Sequence, residues 1–208
     1  MTRYDVSMVI TPDMQVYKNK PGKKPVLTVD SDFDQGTTYE TRLTMNLHTG
    51  THMDFSKHMS QEGAVSDGFD PFTLIRAVRV FDLTGLQEAI SADDLMPLAI
   101  QSGDFVLFKT RNSLTEQFDF RFVHVDASAA RLLADLKVDG VGVDALGIER
   151  DQPGYPTHKT LFDADIIIIE GLRLKAVPAG RYQMIALPLN IDGVEALPLR
   201  VVLIDNHE

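Results

Sequence analysis

The sequence predicts a single domain, residues 1–208, of the mixed α/β (α+β) class with a sheet-rich core. Candidate strands outnumber candidate helices, and their order along the chain is not a regular alternation of strand and helix. A length of 208 residues also suits one large domain. A chain this long buries roughly 70% of the surface that its unfolded form exposes, so folding by itself requires neither disulfides nor a metal.

The N-terminal part is predicted to contain a basic loop followed by a strand. Residues 18–25 (KNKPGKKP) are polar and rich in turn-forming residues, which is typical of a solvated loop. Across residues 38–48 apolar and polar side chains alternate, with Tyr39 and Leu43 on one face and Arg42 and His48 on the other. This period of two predicts a half-buried strand that ends at His48.

The remaining elements combine short apolar strands with two capped helices. Ser91 begins the first helix, with Asp94 as a capping-box partner. Asp126 or Ser128 caps the second helix, in which apolar residues recur at helical spacing from Ala129 onward. Further strands are predicted at residues 77–83, 105–109, 138–143, 166–169, 184–189 and 199–204.

The composition argues against several classes of protein. A formal net charge of −10 disfavours a general nucleic-acid binder or a protein that docks on anionic lipid, because both rely on clustered Lys and Arg. The chain has no Cys, which excludes disulfides, thiolate metal sites and cysteine nucleophiles. Its start lacks the apolar core of a signal peptide, and no apolar stretch approaches the ~20 residues of a membrane span. We therefore expect a cytoplasmic protein that binds neither nucleic acid nor membrane.

Three of the six histidines fall within eleven residues, in the segment HTGTHMDFSKH at residues 48–58. Gly50 and the threonines beside it argue against a helix. On a straight strand His48 and His52 would lie about 13 Å apart, whereas a sharp turn at Gly50 could bring them together. Asp54 and His52 face the same side of an extended chain. Two imidazoles and a carboxylate suit Zn, Mn or Fe, and the alternative is a polar loop with local hydrogen bonds.

A second group of ionisable residues lies downstream. His158 follows Pro156 and Thr157, and Glu170 comes directly after the apolar run at residues 166–169. A carboxylate at the end of a buried strand costs free energy unless it is paired or bound to a metal. The alternative is a glutamate exposed to water at the strand end. Of the other histidines, His124 is expected at the edge of the core and His207 in the terminal residues.

The segment 48–58 resembles the metal-dependent cyclase family, which includes bacterial kynurenine formamidases and isatin hydrolases. The family pattern is H-x-G-T-H-x-D-x-P-x-H, and every ionisable position of that pattern matches here. Ser56 replaces the family's proline, which bears on the rigidity of the loop more than on its chemistry. Further stretches that follow the family's order and spacing lie at residues 141–146, 156–158, 169–172, 178–182 and 187–189, so the resemblance covers about residues 35–204.

This resemblance implies a swivelling β/β/α, cyclase-like fold, a homodimer or homotetramer, and one or two divalent ions, Zn or Mn, per chain. Asp54 is placed to bridge two ions, and His58 matches the family's catalytic histidine, which is not a main ligand. The residues that match the family's metal ligands are His48, His52 and Asp54 for the first ion, and His158 and Glu170 for the second.

The activity that the resemblance implies is the hydrolysis of a small amide, as in an arylformamidase that converts N-formylkynurenine to kynurenine and formate. A divalent ion lowers the pKa of bound water toward ~7, and His58 would act as general acid and base. Family formamidases usually carry a Trp in the substrate pocket. This chain has no Trp, and Tyr17 is the expected replacement because its ring can stack on an aryl group.

Two other functions stay open at this point. The first is a hydrolase of the same fold that opens a cyclic amide such as isatin, or a lactone. The second belongs to another class, namely a non-catalytic protein that binds a metal or a ligand. The presence of His58 favours catalysis, because a binding protein would need no free histidine beside its ligands.

Overall fold

The computed structural model describes residues 1–205, so His207 lies outside the described part of the chain. Within residues 1–205 there are twelve strands and three α-helices, joined by loops and short 3-10 turns. The strands are β1 (Arg3–Asp5), β2 (Val26–Ser31), β3 (Glu40–Thr44), β4 (His52–Asp54), β5 (Ile75–Asp82), β6 (Ala89–Ile90), β7 (Phe105–Lys109), β8 (His124–Val125), β9 (Gly140–Val143), β10 (Ile167–Glu170), β11 (Gly180–Pro188) and β12 (Ala196–Ile204). The helices are α1 (Ala92–Leu95), α2 (Ala127–Leu136) and α3 (Pro156–Asp163).

Seven of these strands close into a ring. Around it the order is β12, β11, β5, β7, β9, β10 and β4, with β4 paired back to β12 and β1 added beside the far end of β12. The run from β5 through β10 is parallel, and the other pairings are antiparallel. The short strand β4 closes the ring because it pairs with β10 on one side and β12 on the other. The predicted sheet-rich α+β class is confirmed.

The central strand β7 shows how the two faces of the sheet are filled. Phe105 and Leu107 point into a core shared by strands around the ring, whereas Val106 and Phe108 point into a second core covered by the helices. All four side chains are buried. A parallel strand that is covered on both faces needs such a continuous apolar run, which is why the sequence predicts β7 at its observed bounds.

Capping residues set the start of two helices. The side chain of Asp126 accepts hydrogen bonds from the backbone N–H groups of Ser128 and Ala129 at the start of α2. Ser91 and Asp94 form the predicted capping box at α1, although this helix is only four residues long. In the described residues, no helix is both long enough and apolar enough to cross a membrane.

The prediction for residues 38–48 is wrong in its burial and in its end. The strand is β3, which stops at Thr44, and it forms a separate two-stranded sheet with β2. Both faces of β3 are exposed, because its partner is another exposed strand and not the closed sheet. The alternation therefore predicts a strand but does not predict which part of the protein packs against it. His48 lies beyond the strand in a turn, where its backbone N–H donates to the side chain of Asn46.

The close pairing of β7 and β9 requires a residue without a side chain at Gly140. A Cβ atom at this position would lie 2.1 Å from the ring of Phe105, which is itself buried. We expect Gly140→Ala to lower the free energy of unfolding by about 1–3 kcal/mol, because the core is overpacked. Urea denaturation with comparison of the midpoints and m-values measures this change.

The matched control is Gly85→Ala, because a Cβ atom at Gly85 would meet no atom within 4 Å. We expect this variant to change the free energy of unfolding by less than about 0.5 kcal/mol. Equal destabilisation by the two substitutions would contradict the close-packing argument.

Candidate metal centre

The candidate site lies where β4 closes the ring. In the register of β4 and β10, His52 is opposite Glu170 and Asp54 is opposite Ile168. Because side chains on a strand alternate between faces, His52 and Asp54 project to the same side of the sheet. His158 enters from α3, so residues more than a hundred positions apart in sequence meet at one point.

A turn at Gly50 brings His48 back to His52. Gly50 has φ +78°, a left-handed conformation that only glycine adopts without strain. As a result, Nδ1 of His48 lies 3.3 Å from Nε2 of His52. The turn is fastened by Thr51, whose hydroxyl donates to the carbonyl oxygen of Gly171 at 2.7 Å and accepts from the N–H of Met8 at 2.8 Å.

Asp54 is the centre of the cluster. Its Oδ1 lies 3.0 Å from Nδ1 of His48 and 3.4 Å from Nε2 of His52, and its Oδ2 lies 4.0 Å from Nε2 of His158. Both carboxylate oxygens are buried, yet neither has a hydrogen-bond partner of acceptable geometry within the described residues. Nitrogen and oxygen atoms this close that do not bond to one another fit a shared cation, and imidazole and carboxylate are donors that suit Zn or Mn.

Glu170 completes the buried part of the cluster. Its Oε2 lies 3.4 Å from Nε2 of His52, and its Oε1 lies 3.6 Å from Nε2 of His158. Oε1 also accepts a hydrogen bond from the backbone N–H of Ile148 at 2.6 Å. Glu170 is 4% exposed, so the alternative of a strand-end glutamate exposed to water is wrong.

Two hydrogen bonds orient the buried imidazoles toward the centre. Nδ1 of His52 lies 2.9 Å from the carbonyl oxygen of Gly50, and Nδ1 of His158 lies 2.8 Å from Oε2 of Glu149. A carbonyl can only accept, so Nδ1 of His52 carries a proton, and Nε2 is turned toward Asp54. Such outer hydrogen bonds typically orient metal-binding histidines.

Sequence reasoning did not find Glu149 or Glu195. Glu149 is buried and also accepts from the backbone N–H groups of Thr157 and His158, which begin α3. Oε1 of Glu195 lies 3.3 Å from Nε2 of His48. Neither glutamate lies at a sequence spacing from the histidines that is typical of a metal site. The one local signal is Pro156, which predicts the start of the helix whose first N–H groups Glu149 accepts from.

The charges of the protein groups alone make the site attractive to a cation. Burial by itself lowers the pKa of His52, but Asp54 and Glu170 outweigh it and raise that pKa to about 10. Burial likewise lowers the pKa of His158, and hydrogen bonds to Glu149 and Glu170 raise it to about 9. Burial and Asp54 raise the pKa of Glu170, but His158 and His52 bring it down to about 2. A divalent ion would replace the protons on these imidazoles, so metal binding would release protons.

The geometry contains two sets of three possible ligands that share Asp54. The atoms of His52, Asp54 and Glu170 lie within 4.8 Å of one another, and so do those of His48, Asp54 and His58. The shared position of Asp54 agrees with a bridging role, but the division of the other residues differs from the one expected from the resemblance. Assignment of each ligand to one ion therefore stays a prediction.

A cavity of about 660 Å³ opens onto this cluster. His58 is exposed on its wall, with its ring 4.1 Å from that of His48, centroid to centroid. Partial burial of the imidazole lowers the pKa of His58 even though Asp54 opposes the shift, so the imidazole favours its neutral form. Tyr17 also lines the cavity and packs edge-on against Phe118.

The basic segment at residues 18–25 is more than a solvated loop. Two short 3-10 turns run through it. The first, Tyr17–Asn19, begins one residue before the segment, and the second is Pro21–Lys23. The side chains of Lys18, Lys20 and Lys23 line the same cavity. His124, in contrast, is buried away from the cluster, with Nδ1 3.0 Å from the carbonyl oxygen of Glu88, as expected for the edge of the core.

Fold and site together define a protein built to hold a divalent cation at the closing strand of a seven-stranded ring. A family model described as putative cyclase matches residues 4–150, and the chain belongs to this family. The kynurenine formamidase of Salinibacter ruber is 31% identical over 208 residues, which cover 99% of this chain and 98% of that protein.

Two solved structures also resemble this chain. One described as a potential metal-dependent hydrolase with cyclase activity is 50% identical, with a TM-score of 0.93 over 100% of this chain and 99% of that one. Isatin hydrolase A from Labrenzia aggregata is 22% identical, with a TM-score of 0.83 over 97% of this chain and 93% of that one. At this identity the second likeness establishes the fold alone.

Asp54→Asn tests the shared position of this carboxylate. We expect purified wild-type protein to retain divalent metal, and the variant to lose most of it, because the amide removes the negative charge common to both sets of possible ligands. Elemental analysis after dialysis measures the metal content. Asp151→Asn is the control, because this carboxylate lies at the rim of the cavity and pairs with Lys18. Full metal content in Asp54→Asn would contradict the assignment.

Proposed function

We propose that this chain is a metal-dependent hydrolase of a small aryl amide, with N-formylkynurenine as the leading substrate. In that reaction water adds its oxygen to the formyl carbon, the carbon–nitrogen bond breaks, and the products are formate and kynurenine. The near full-length similarity to a kynurenine formamidase supports this substrate. A cytoplasmic location stays a prediction from the sequence.

The observation that carries the proposal is the pair of buried Asp54 oxygens that lack hydrogen bonds and face three imidazoles. The residues that would hold the ions are His48, His52, Asp54, His158 and Glu170. A divalent ion there acidifies water and polarises a carbonyl oxygen. Zn and Mn both suit this donor set, and one or two ions per chain fit the shared carboxylate.

His58 is the residue proposed to move protons. It is exposed to the cavity beside the cluster, and its lowered pKa leaves the imidazole neutral near pH 7. A neutral imidazole can take a proton from the attacking water and return it to the nitrogen of the leaving amine. This position favours an enzyme over a protein that only binds a ligand.

Tyr17 is proposed to bind the aryl ring of the substrate. Its ring lines the cavity and is held by edge-on contacts with Phe118 and Phe122. A tyrosine ring can pack against a flat aryl group with its face or with its edge. A cavity of about 660 Å³ is within the usual range for small-molecule sites.

His58→Ala separates catalysis from metal binding. We expect the rate of N-formylkynurenine hydrolysis to fall by about 10²- to 10⁴-fold, because a general acid and base is removed, while the metal content stays unchanged. Hydrolysis followed by absorbance and elemental analysis on the same sample give both values. Lys57→Ala, which removes an exposed neighbour, is expected to keep both.

Loss of the metal in His58→Ala would instead make His58 a ligand, as its place among the atoms around Asp54 allows. Wild-type protein that contains metal and opens isatin, but does not cleave N-formylkynurenine, would replace the proposed substrate with a cyclic amide. Metal without any turnover of amides or lactones would favour the binding protein.

The hairpin formed by β2 and β3 is proposed to join copies of this chain into a homodimer or homotetramer. Its apolar side chains are exposed on both faces, and a two-stranded sheet is marginally stable without further cover. A second copy that brings the same hairpin offers a matching apolar surface. The exposed apolar residues are Val26, Leu27, Val29, Phe33, Tyr39 and Leu43.

The double variant Leu27→Lys with Leu43→Glu tests this contact. These two residues are directly opposite in the hairpin, so the new charges attract each other and preserve the pairing while they remove apolar surface. We expect the molar mass measured by light scattering after size exclusion to fall to that of one chain. Met96→Lys changes an exposed apolar residue elsewhere and should leave the mass unchanged. A monomeric wild type would contradict the proposal.

A further inference from the structure

The ammonium group of Lys23 has no carboxylate partner in the described part of the chain. The neighbouring Lys18 pairs with Asp151 at 3.1 Å, but no Asp or Glu oxygen of residues 1–205 lies within 4.0 Å of Nζ of Lys23. Lys23 is half-buried in the wall of the cavity that opens onto the metal cluster. Partial burial reduces the hydration of this ammonium group, so an anion in the cavity would be attracted to it more strongly than to a fully exposed lysine.

The position of Lys23 is fixed relative to the metal cluster. Its backbone carbonyl accepts a hydrogen bond of 2.7 Å from the hydroxyl of Thr49, the residue between His48 and Gly50. Its Nζ lies 5.7 Å from the centre of the Tyr17 ring, which is within the range of a cation–π contact. Lys23 thus has one contact at its backbone carbonyl and a second at its ammonium group.

The charged groups of the cluster also affect the pKa of Lys23. Burial and the nearby Lys20 lower the pKa of Lys23, whereas Glu170, Asp54 and Glu195 act to raise it. Its ammonium is therefore within electrostatic reach of these carboxylates, although none of them lies within 4.0 Å of Nζ. When cations occupy the cluster, they neutralise those carboxylates, and Lys23 is left as an uncompensated positive charge on the cavity wall.

We infer that Lys23 is a specificity residue that binds a carboxylate carried by the substrate, away from the bond that is cleaved. This inference rests on the proposed function and narrows it to small aryl amides or lactones that carry an acid group. N-formylkynurenine carries such a group on its amino-acid side chain, and isatin carries none. With Tyr17 beside Lys23, the ring and the carboxylate of one substrate would be held together.

The kinetic test compares two formamides that share the reacting group. N-formylkynurenine has the carboxylate, and 2-formamidoacetophenone has the same aryl formamide without the amino-acid part. We expect Lys23→Met to lower kcat/KM for N-formylkynurenine by about 10- to 100-fold, mainly through KM, because a charge-assisted hydrogen bond is lost. The value for 2-formamidoacetophenone should change by less than about threefold, and Lys23→Arg should restore most of the loss.

The matched control is Lys24→Met, which removes one positive charge from the same turn at a position that does not line the cavity. It should leave both kcat/KM values within about twofold of the wild type. Equal losses for the two formamides in Lys23→Met would overturn the inference, because Lys23 would then act on the reacting group. No loss for either substrate would overturn it as well.

A binding experiment keeps this inference separate from the proposed function. Benzenesulfonate, an aryl anion that binds metals weakly, and methyl phenyl sulfone, its neutral counterpart, are titrated into the metal-loaded protein by calorimetry. We expect Lys23→Met to raise the Kd for benzenesulfonate at least tenfold and to leave the Kd for methyl phenyl sulfone unchanged. This result in a protein that cleaves no formamide would refute the proposed function and keep the anion site. Equal benzenesulfonate binding by wild type and variant would overturn the anion site.

Discussion

The structure depends on keeping two carboxylates, Asp54 and Glu170, charged inside a sheet that closes on itself. Removing an ionised carboxylate from water costs of the order of several kcal/mol unless cations and hydrogen bonds compensate it. The compensation at Asp54 comes from His48 and His52, and the compensation at Glu170 comes from His52 and His158. Divalent ions held by these residues would supply the same positive charge, so metal binding would be coupled to the closure of the ring by β4.

Backbone geometry makes this closure possible. Gly50 and Gly171 both have positive φ, and a Cβ atom on Gly171 would lie 2.5 Å from the carbonyl oxygen of Gly50. The turn before β4 and the end of β10 therefore touch through their main chains. Thr51 adds a hydrogen bond across the same contact. The imidazoles stand on a rigid base, which a metal centre needs if its ligands are to meet at one point.

The cluster faces a cavity whose wall is formed by other segments of the chain. The inner residues are held by the sheet and by outer partners such as Glu149, whereas His58 is exposed and Lys23 and Tyr17 belong to a segment of short turns. This division separates two tasks. The cluster would activate the reaction, and the N-terminal segment would select the substrate by its ring and its charge.

The sequence by itself determined the central motif and the strands that are buried on both faces. The segment 48–58 and the apolar run of β7 carry local patterns, namely the spacing of ionisable residues around a glycine and a continuous apolar stretch. Tertiary structure alone decided that β3 would be exposed, that Glu149 would hold His158, and that Lys23 would reach the cavity. These outcomes depend on which distant segments pair and in which register, and a local pattern fixes the periodicity of a segment but not the partner that covers it.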